Sequence, residues 1–334
     1  MTTTVQAPTA RPLTPTGTSG PIHLGVTQFR REYELVIGAR DGSEVTLSSI
    51  GIAKPLTITF SVLMKATNES KMSLGIYNLS ETTKALLSQR WTEVELRVGY
   101  RGQQLRTIFK GTVTGDSSTT SLKGADYLTT VTVKDGYSLY NVAISGSTKP
   151  ESCPKEALSR IVNRITIATK ERITLGTDID TLDMLDKKIT GFSFVGPAVT
   201  VLKDFLYQYD YDFTIIRNKI IISKRGLTSA PAPSSNSIRV LDVESGLLTS
   251  PQPKAFDETT PANSPTKTEG STFRCLLDPT LTPTTYVKVV DPIRKDTEGR
   301  PLESIHQIRD VMFKGDYSGT NWYADVTTTR RSST

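Results

Sequence analysis

Four aspartates lie close together in this chain: Asp178, Asp180, Asp183 and Asp186. Carboxylates at that density can bind a hard cation through oxygen or divide the work of a general acid and a general base. The stretch lacks the glycine and the closing glutamate of a helix–loop–helix calcium loop. Aspartates also cap free backbone amides at turns and helix starts, and the spacing favours that role. Histidine occurs only at His23 and His306, with no nucleophile elbow around any Ser or Cys, so a Ser/His/Asp or Cys/His constellation has no motif to stand on. Walker-type loops, HExxH and a glycine-rich strand-to-helix fingerprint are absent as well. The two cysteines, Cys153 and Cys275, are far apart, belong to no CxxC pair and read as free thiols. Cys153 precedes a helical pattern whose dipole favours thiolate, yet with no nearby histidine its expected role is packing or a passive cap. Lys65, Lys71, Arg97, Arg101 and Arg106, interleaved with Tyr77 and Tyr100, suggest nucleic-acid contact, but Glu93 and Glu95 share that hairpin and fit a solvated strand face. No catalytic, cofactor-binding or metal residue is assigned, and no cofactor is expected.

The elements around these residues are mostly strands. EYELVIG, EVTLSSI and PLTITFSVLMK are rich in β-branched and aromatic residues and bounded by Gly, Asp or Pro. In Leu56, Ile58, Phe60 and Val62 the apolar residues alternate, which predicts a half-buried antiparallel strand with Thr57, Thr59 and Ser61 on the other face. KMSLGIYNLS, WTEVELRVGY, LRTIFKGTVTG and YLTTVTVKDG continue the pattern, with a short helical turn at Ala85 and Leu86 that Ser80 could cap. Short strands with Gly-containing turns imply a sandwich or barrel over about 21–145. The period then changes. Ala157, Leu158, Ile161, Val162 and Ile165 predict a helix after Pro154, and Ala198, Val201, Leu202, Phe205 and Leu206 predict a second after Pro197. Phe213–Ile216 and Ile220–Ile222 around Arg217, Asn218 and Lys219 read as a hairpin, completing an α+β module over 146–226.

From 227 to 334, SIRVLDVESGLL, STFRCLLDP, TYVKVVDP, IHQIRDVMFKGD and WYADVTTT predict a second all-β module. TSAPAPSSNS and the Pro/Thr-rich stretch 249–272 are expected to be exposed linkers or a long loop. The fold class is therefore mainly β with a smaller α+β module. At 334 residues the chain can hold two or three cores, and 40 Lys plus Arg against 34 Asp plus Glu leave a scattered net charge of +6. That charge favours solubility over a dedicated nucleic-acid patch. No apolar run is long enough to cross a bilayer. Residues 1–20 lack the order of a secretory signal and read as a flexible arm.

Two stretches carry a resemblance: YELVIG, ITFSVLMK, IYNLSETTKALL, VELRVGY and IFKGTV, and the ending IRDVMFKGDYSGTNWYADVT with Gly315, Asp316 and Trp322. The first resembles the N-terminal tube-like domain of bacteriophage baseplate hub proteins, the second their C-terminal strand pair. GFSFVGPAVTVLKDFLYQYDYDFTIIRNKIIISKRG is similar to the family's middle segment. The resemblance implies two β-barrel or sandwich tube-like modules per chain and a homotrimeric ring. It also implies adaptation of a sixfold tail tube to a threefold central spike, and a conduit for DNA. The implied partners are the spike, the tail tube or tube-initiator protein, baseplate wedge proteins and passing DNA, with no stable membrane insertion. The implied location is the virion tail baseplate after synthesis in the host cytoplasm. A tail-associated cell-wall-degrading enzyme and the hub of a phage-derived contractile injection system remain alternatives.

Overall fold

The structure, a computed structural model, describes residues 30–38, 42–66, 69–89, 91–115, 117–149, 151–184, 191–224, 238–259 and 265–330. The arm at 1–20, the TSAPAPSSNS linker, His23 and Asp186 lie outside the described residues. With 51% strand and 15% helix, the chain is mainly β, as the strand patterns require.

The first group of elements comprises β1 (Arg31–Gly38), β2 (Glu44–Ser48), β3 (Ile58–Lys65), β4 (Lys71–Tyr77), α1 (Glu81–Leu87), β5 (Glu93–Tyr100), β6 (Arg106–Val113), β7 (Thr119–Lys123) and β8 (Asp126–Lys134). Alternation fixes their faces. Ile58, Phe60, Val62 and Met64 of β3 are buried, as are Met72, Leu74 and Ile76 of β4 and Val94, Leu96 and Val98 of β5. Ser80 caps α1, its hydroxyl accepting from the Thr83 amide at 3.3 Å.

A middle group follows: α2 (Tyr137–Tyr140), β9 (Ala143–Ser147), α3 (Pro154–Ala168), β10 (Thr174–Leu175), β11 (Ser193–Pro197), α4 (Ala198–Tyr207), β12 (Tyr211–Ile216) and β13 (Lys219–Lys224). The helical spacing read from the sequence places Ala157, Leu158, Ile161, Val162 and Ile165 of α3 against Ala198, Leu202, Phe205 and Leu206 of α4 in a core of their own. The β12–β13 hairpin turns on two residues, Arg217 and Asn218, both in the left-handed region (φ 57° and 61°), the backbone of a type I′ turn.

The last group is β14 (Arg239–Leu241), β15 (Gln252–Thr259), β16 (Pro265–Leu276), β17 (Tyr286–Lys295), β18 (Pro301–Asp316) and β19 (Trp322–Arg330). Here the structure corrects the expectation for 249–272: much of that stretch is the β15–β16 hairpin, paired from Gln252↔Thr272 to Thr259↔Pro265. Pro, Ser and Thr content, the ground for expecting a linker or loop, does not exclude strands here. Among the described residues β15 is an edge strand, where a missing amide donor is tolerated, and the Thr residues are good strand formers.

The first and last groups form one sheet of 14 strands, whose main path runs β15-β16-β19-β18-β3-β4-β8-β6-β5-β1-β2. Its seam is β3 against β18, paired antiparallel from Thr59↔Asp316 to Lys65↔Asp310. One continuous core spans the seam, containing Phe60, Val62, Val311, Phe313 and Trp322. At Gly315 a Cβ would collide with the Phe60 ring, which packs edge-on against Trp322 at 5.4 Å between ring centres.

Candidate assembly surface

Opposite the core, the sheet presents a second face built by the other half of each alternation. Register places its side chains in rows that cross the seam. One row runs Tyr323, Lys314, Ser61, Ser73 and Thr132, and the next runs Arg274, Asp325, Met312, Leu63, Lys71 and Lys134. Small hydroxyl residues occupy the first row beyond Lys314, whereas the middle of the second is Met312 and Leu63, flanked by Arg274 and Asp325 on one side and Lys71 and Lys134 on the other. Between Thr59 and Thr130, Gly75 completes a third row, and a Cβ there would sit 2.6 Å from the Thr59 hydroxyl.

Several charges on this face are compensated. Arg97 holds Glu34 at 2.6 Å and Glu95 at 2.7 Å, while Thr107 donates to Glu95 at 2.8 Å. Partial burial alone would raise the Glu95 carboxyl, but hydrogen bonds from Arg97 and Thr107, with the charges of Arg97 and Lys110, hold it below its usual range. Arg274 pairs with Asp325 at 2.6 Å and lies over the Tyr323 ring, and Lys134 pairs with Glu69 at 2.9 Å. Exposed pairs of this kind contribute little stability, so they set the surface pattern more than they hold the fold.

Two features fix the geometry of the seam. Arg31 donates from Nη1 to the carbonyls of Asp316 (2.8 Å) and Gly319 (2.6 Å) and from Nη2 to Thr320 (3.1 Å), clamping the β18–β19 turn to β1. The second is the tip of the β12–β13 hairpin. Asp135, buried at the end of β8, accepts from the backbone amides of Arg217 (2.6 Å) and Asn218 (2.7 Å), and the Asn218 side-chain oxygen accepts from the Gly136 amide at 3.2 Å. Arg217 Nη2 reaches the Pro279 carbonyl at 3.3 Å, so one turn touches the first, middle and last groups. Ile216 of that turn belongs to the main core, and Ile215 to the middle one.

The residues with apparent chemical potential stand apart from one another. Asp178 accepts from the Asp180 amide at 3.1 Å and caps a short 3-10 turn, the capping role its spacing favoured. Cys153 sits at the start of α3, its amide donating to Glu156 Oε2 at 3.3 Å, and Cys275 is buried in β16, where burial pushes its thiol up. Both are free thiols. His306, buried in β18, meets the hydroxyls of Ser304 (2.7 Å) and Ser271 (3.4 Å). Arg97 is absorbed in the ion-pair network above, and Tyr100 is buried. No group of three or more potential metal ligands occurs among the described residues, and none of their helices is long and apolar enough to cross a membrane. Sequence reasoning missed Asp135 and Arg31, whose partners lie 82 to 289 residues away.

No protein-family model and no curated protein matches the chain. Solved structures do share its fold, tail proteins and a secretion-system component among them. A 43 kDa tail protein of prophage MuSo2 from Shewanella oneidensis superposes with a TM-score of 0.54 at 12% identity, over 89% of this chain and 96% of that one. The tail protein from Neisseria meningitidis MC58 gives 0.53 at 9% identity, again over 89% and 96%. A component of the Escherichia coli type VI secretion system, described as structurally similar to the bacteriophage tail proteins gp27 and gp5, gives 0.50 at 11% identity, over 85% and 76%. At these identities the likeness is one of fold.

Proposed function

We propose that this chain is a structural hub of a phage tail baseplate and works by assembly rather than by catalysis. The observation that carries the reading is the β3–β18 seam, which makes two β-modules of one chain into a single sheet. Taking about 21–145 and 227–334 as the two tube-like units and 146–226 as the α+β domain, three copies would offer six β-units around a threefold axis. A sixfold tail tube, or a tube-initiator protein, could then dock on one side and a threefold spike on the other. Rows of Ser, Thr and compensated charges suit a wet conduit in transient contact with passing DNA, because they offer no strongly cationic trap. The two ends of the sheet path, β15 and β2, are strand edges that neighbouring subunits or baseplate wedge proteins could cover. The location would be the virion tail after synthesis in the host cytoplasm, and the hub of a phage-derived injection machine would obey the same docking physics.

Light scattering on the purified chain, alone and mixed with the neighbouring spike protein, tests this. A trimer in either state supports the hub. A monomer in both, combined with activity on purified peptidoglycan, would replace it with a wall-degrading enzyme.

A further inference from the structure

The second face of the sheet has a gap in it beside the seam. Gly75 of β4 puts no side chain between Thr59 of β3 and Thr130 of β8, and a cleft of about 300 Å³ lies over it. The Thr59 hydroxyl leans into that space, 2.6 Å from where a Cβ on residue 75 would stand. Thr59, Ser61, Ser73, Thr130, Lys314 and Asn321 line the cleft. All six side chains are at least partly exposed, and none has a hydrogen bond or ion pair to another group among the described residues. Hydroxyls nearby behave differently: Thr57 meets Ser318 at 2.8 Å, and Ser80 meets Thr83 at 2.9 Å.

A second cleft of about 490 Å³ lies next to the first, toward the end of β4, and Asp316 stands in the wall of both. Here the carboxylates are half engaged. Asp126 Oδ1 accepts from Asn78 Nδ2 at 2.8 Å, and Asp316 Oδ1 accepts from the amides of Ser318 (3.1 Å) and Gly319 (2.8 Å), which leaves the other oxygen of each carboxylate open. Tyr77, half-buried in the same wall, has neither a ring contact nor a hydroxyl partner among the described residues. From Thr57 to Ser61 the two clefts together follow β3 for about 13 Å, the length of a disaccharide.

We propose that this trough binds a neutral oligosaccharide. Side-chain hydroxyls both donate and accept, so they match sugar hydroxyls pair for pair and replace water that makes the same bonds. The open carboxylate oxygens accept from further sugar hydroxyls, and the Tyr77 ring offers an apolar face for the C–H side of one pyranose. Charge selects against other ligands. An anion drawn to Lys314 meets Asp316 and Asp126, and a cation drawn to those carboxylates meets Lys314. Protein docking needs a well-packed aromatic or apolar anchor, whereas the floor of the first cleft is a glycine between hydroxyls. The inference goes beyond the hub reading and does not depend on it, since it rests on side chains rather than on assembly.

The test uses the full chain and neutral hexasaccharides of glucose, mannose, galactose and N-acetylglucosamine, with glucose 6-phosphate as the anionic probe. Calorimetry and saturation-transfer NMR should show at least one neutral sugar bound, with a Kd in or below the millimolar range. Thr59→Val combined with Thr130→Val replaces two hydroxyls by methyls and should weaken that binding about tenfold or more. Ser73→Ala lies at an exposed position that the fold does not need, and should weaken it about fivefold with the urea midpoint unchanged. Lys314→Gln keeps a donor and drops the charge, so the loss should stay within about threefold. Binding of glucose 6-phosphate without any neutral sugar would overturn the class of ligand. Sugar binding that Ser73→Ala and the double variant leave unchanged would overturn the site, and no binding of any probe would overturn the proposal as a whole.

Discussion

Asp135 offers a quantitative handle on how the hairpin is docked. Its carboxyl is 1% exposed and accepts from two backbone amides, with Arg217 nearby. Burial nevertheless pushes it up to about 7, against the lowering effect of those bonds and of the Arg217 charge, from 3.8 in an unstructured chain. Between these values the folded state holds a proton that the unfolded state has released, so stability falls as pH rises through the window. The contribution is fully present below about pH 4 and gone above about pH 7, and the span corresponds to about 4 kcal/mol. Asp135→Asn cannot ionise and keeps the size, though its NH2 replaces one of the two oxygens that accept the Arg217 and Asn218 amides, a loss that is the same at every pH. Urea unfolding of wild type and variant at intervals from pH 4 to pH 8 isolates the group, since every other titration is common to both. The stability of wild type minus that of the variant should fall by about 4 kcal/mol across the range. A difference that stays flat, or rises with pH, would show that the two amides and Arg217 outweigh burial and that the carboxylate is welcome as an anion.

Gly315→Ala should destabilise by about 1–3 kcal/mol, because its methyl meets the Phe60 ring at the seam, and the unfolding midpoint in urea reads this directly. Ser80→Ala should cost about 1 kcal/mol by freeing the Thr83 amide at the start of α1, measured in the same way. Arg31→Ala should leave global stability nearly unchanged while amides in 316–320 exchange at least tenfold faster, since that turn loses three carbonyl contacts to the guanidinium.

What could be read from the chain is what repeats locally. The helices α3 and α4 announce themselves because burial at a 3.6-residue period leaves one apolar stripe, and β3 does so by strict alternation. The β15–β16 hairpin was hidden because its two-residue period is written in Thr, Lys and Glu rather than in apolar residues, with prolines at its ends. Long-range choices left no local mark. Nothing in ITFSVLMK says that β18 is its partner, and Asp135 looks like an ordinary turn residue until the Arg217–Asn218 turn closes over it. The candidate assembly face was half legible: the Thr and Ser alternation showed, whereas the rows it forms with Lys314 and Asp325 depend on register between strands far apart in the chain.

The seam also sets a timetable. Strand β3 waits for a partner about 250 residues further along, and at ribosomal rates of about 5–20 residues per second that is an interval on the order of tens of seconds. Throughout it, the emerging N-terminal half presents a long, regular strand edge with an apolar side, the kind of surface on which nascent chains pair with the wrong neighbour. Slow closure of this late contact makes yield during synthesis, rather than stability once folded, the property most sensitive to changes in Ile58–Lys65.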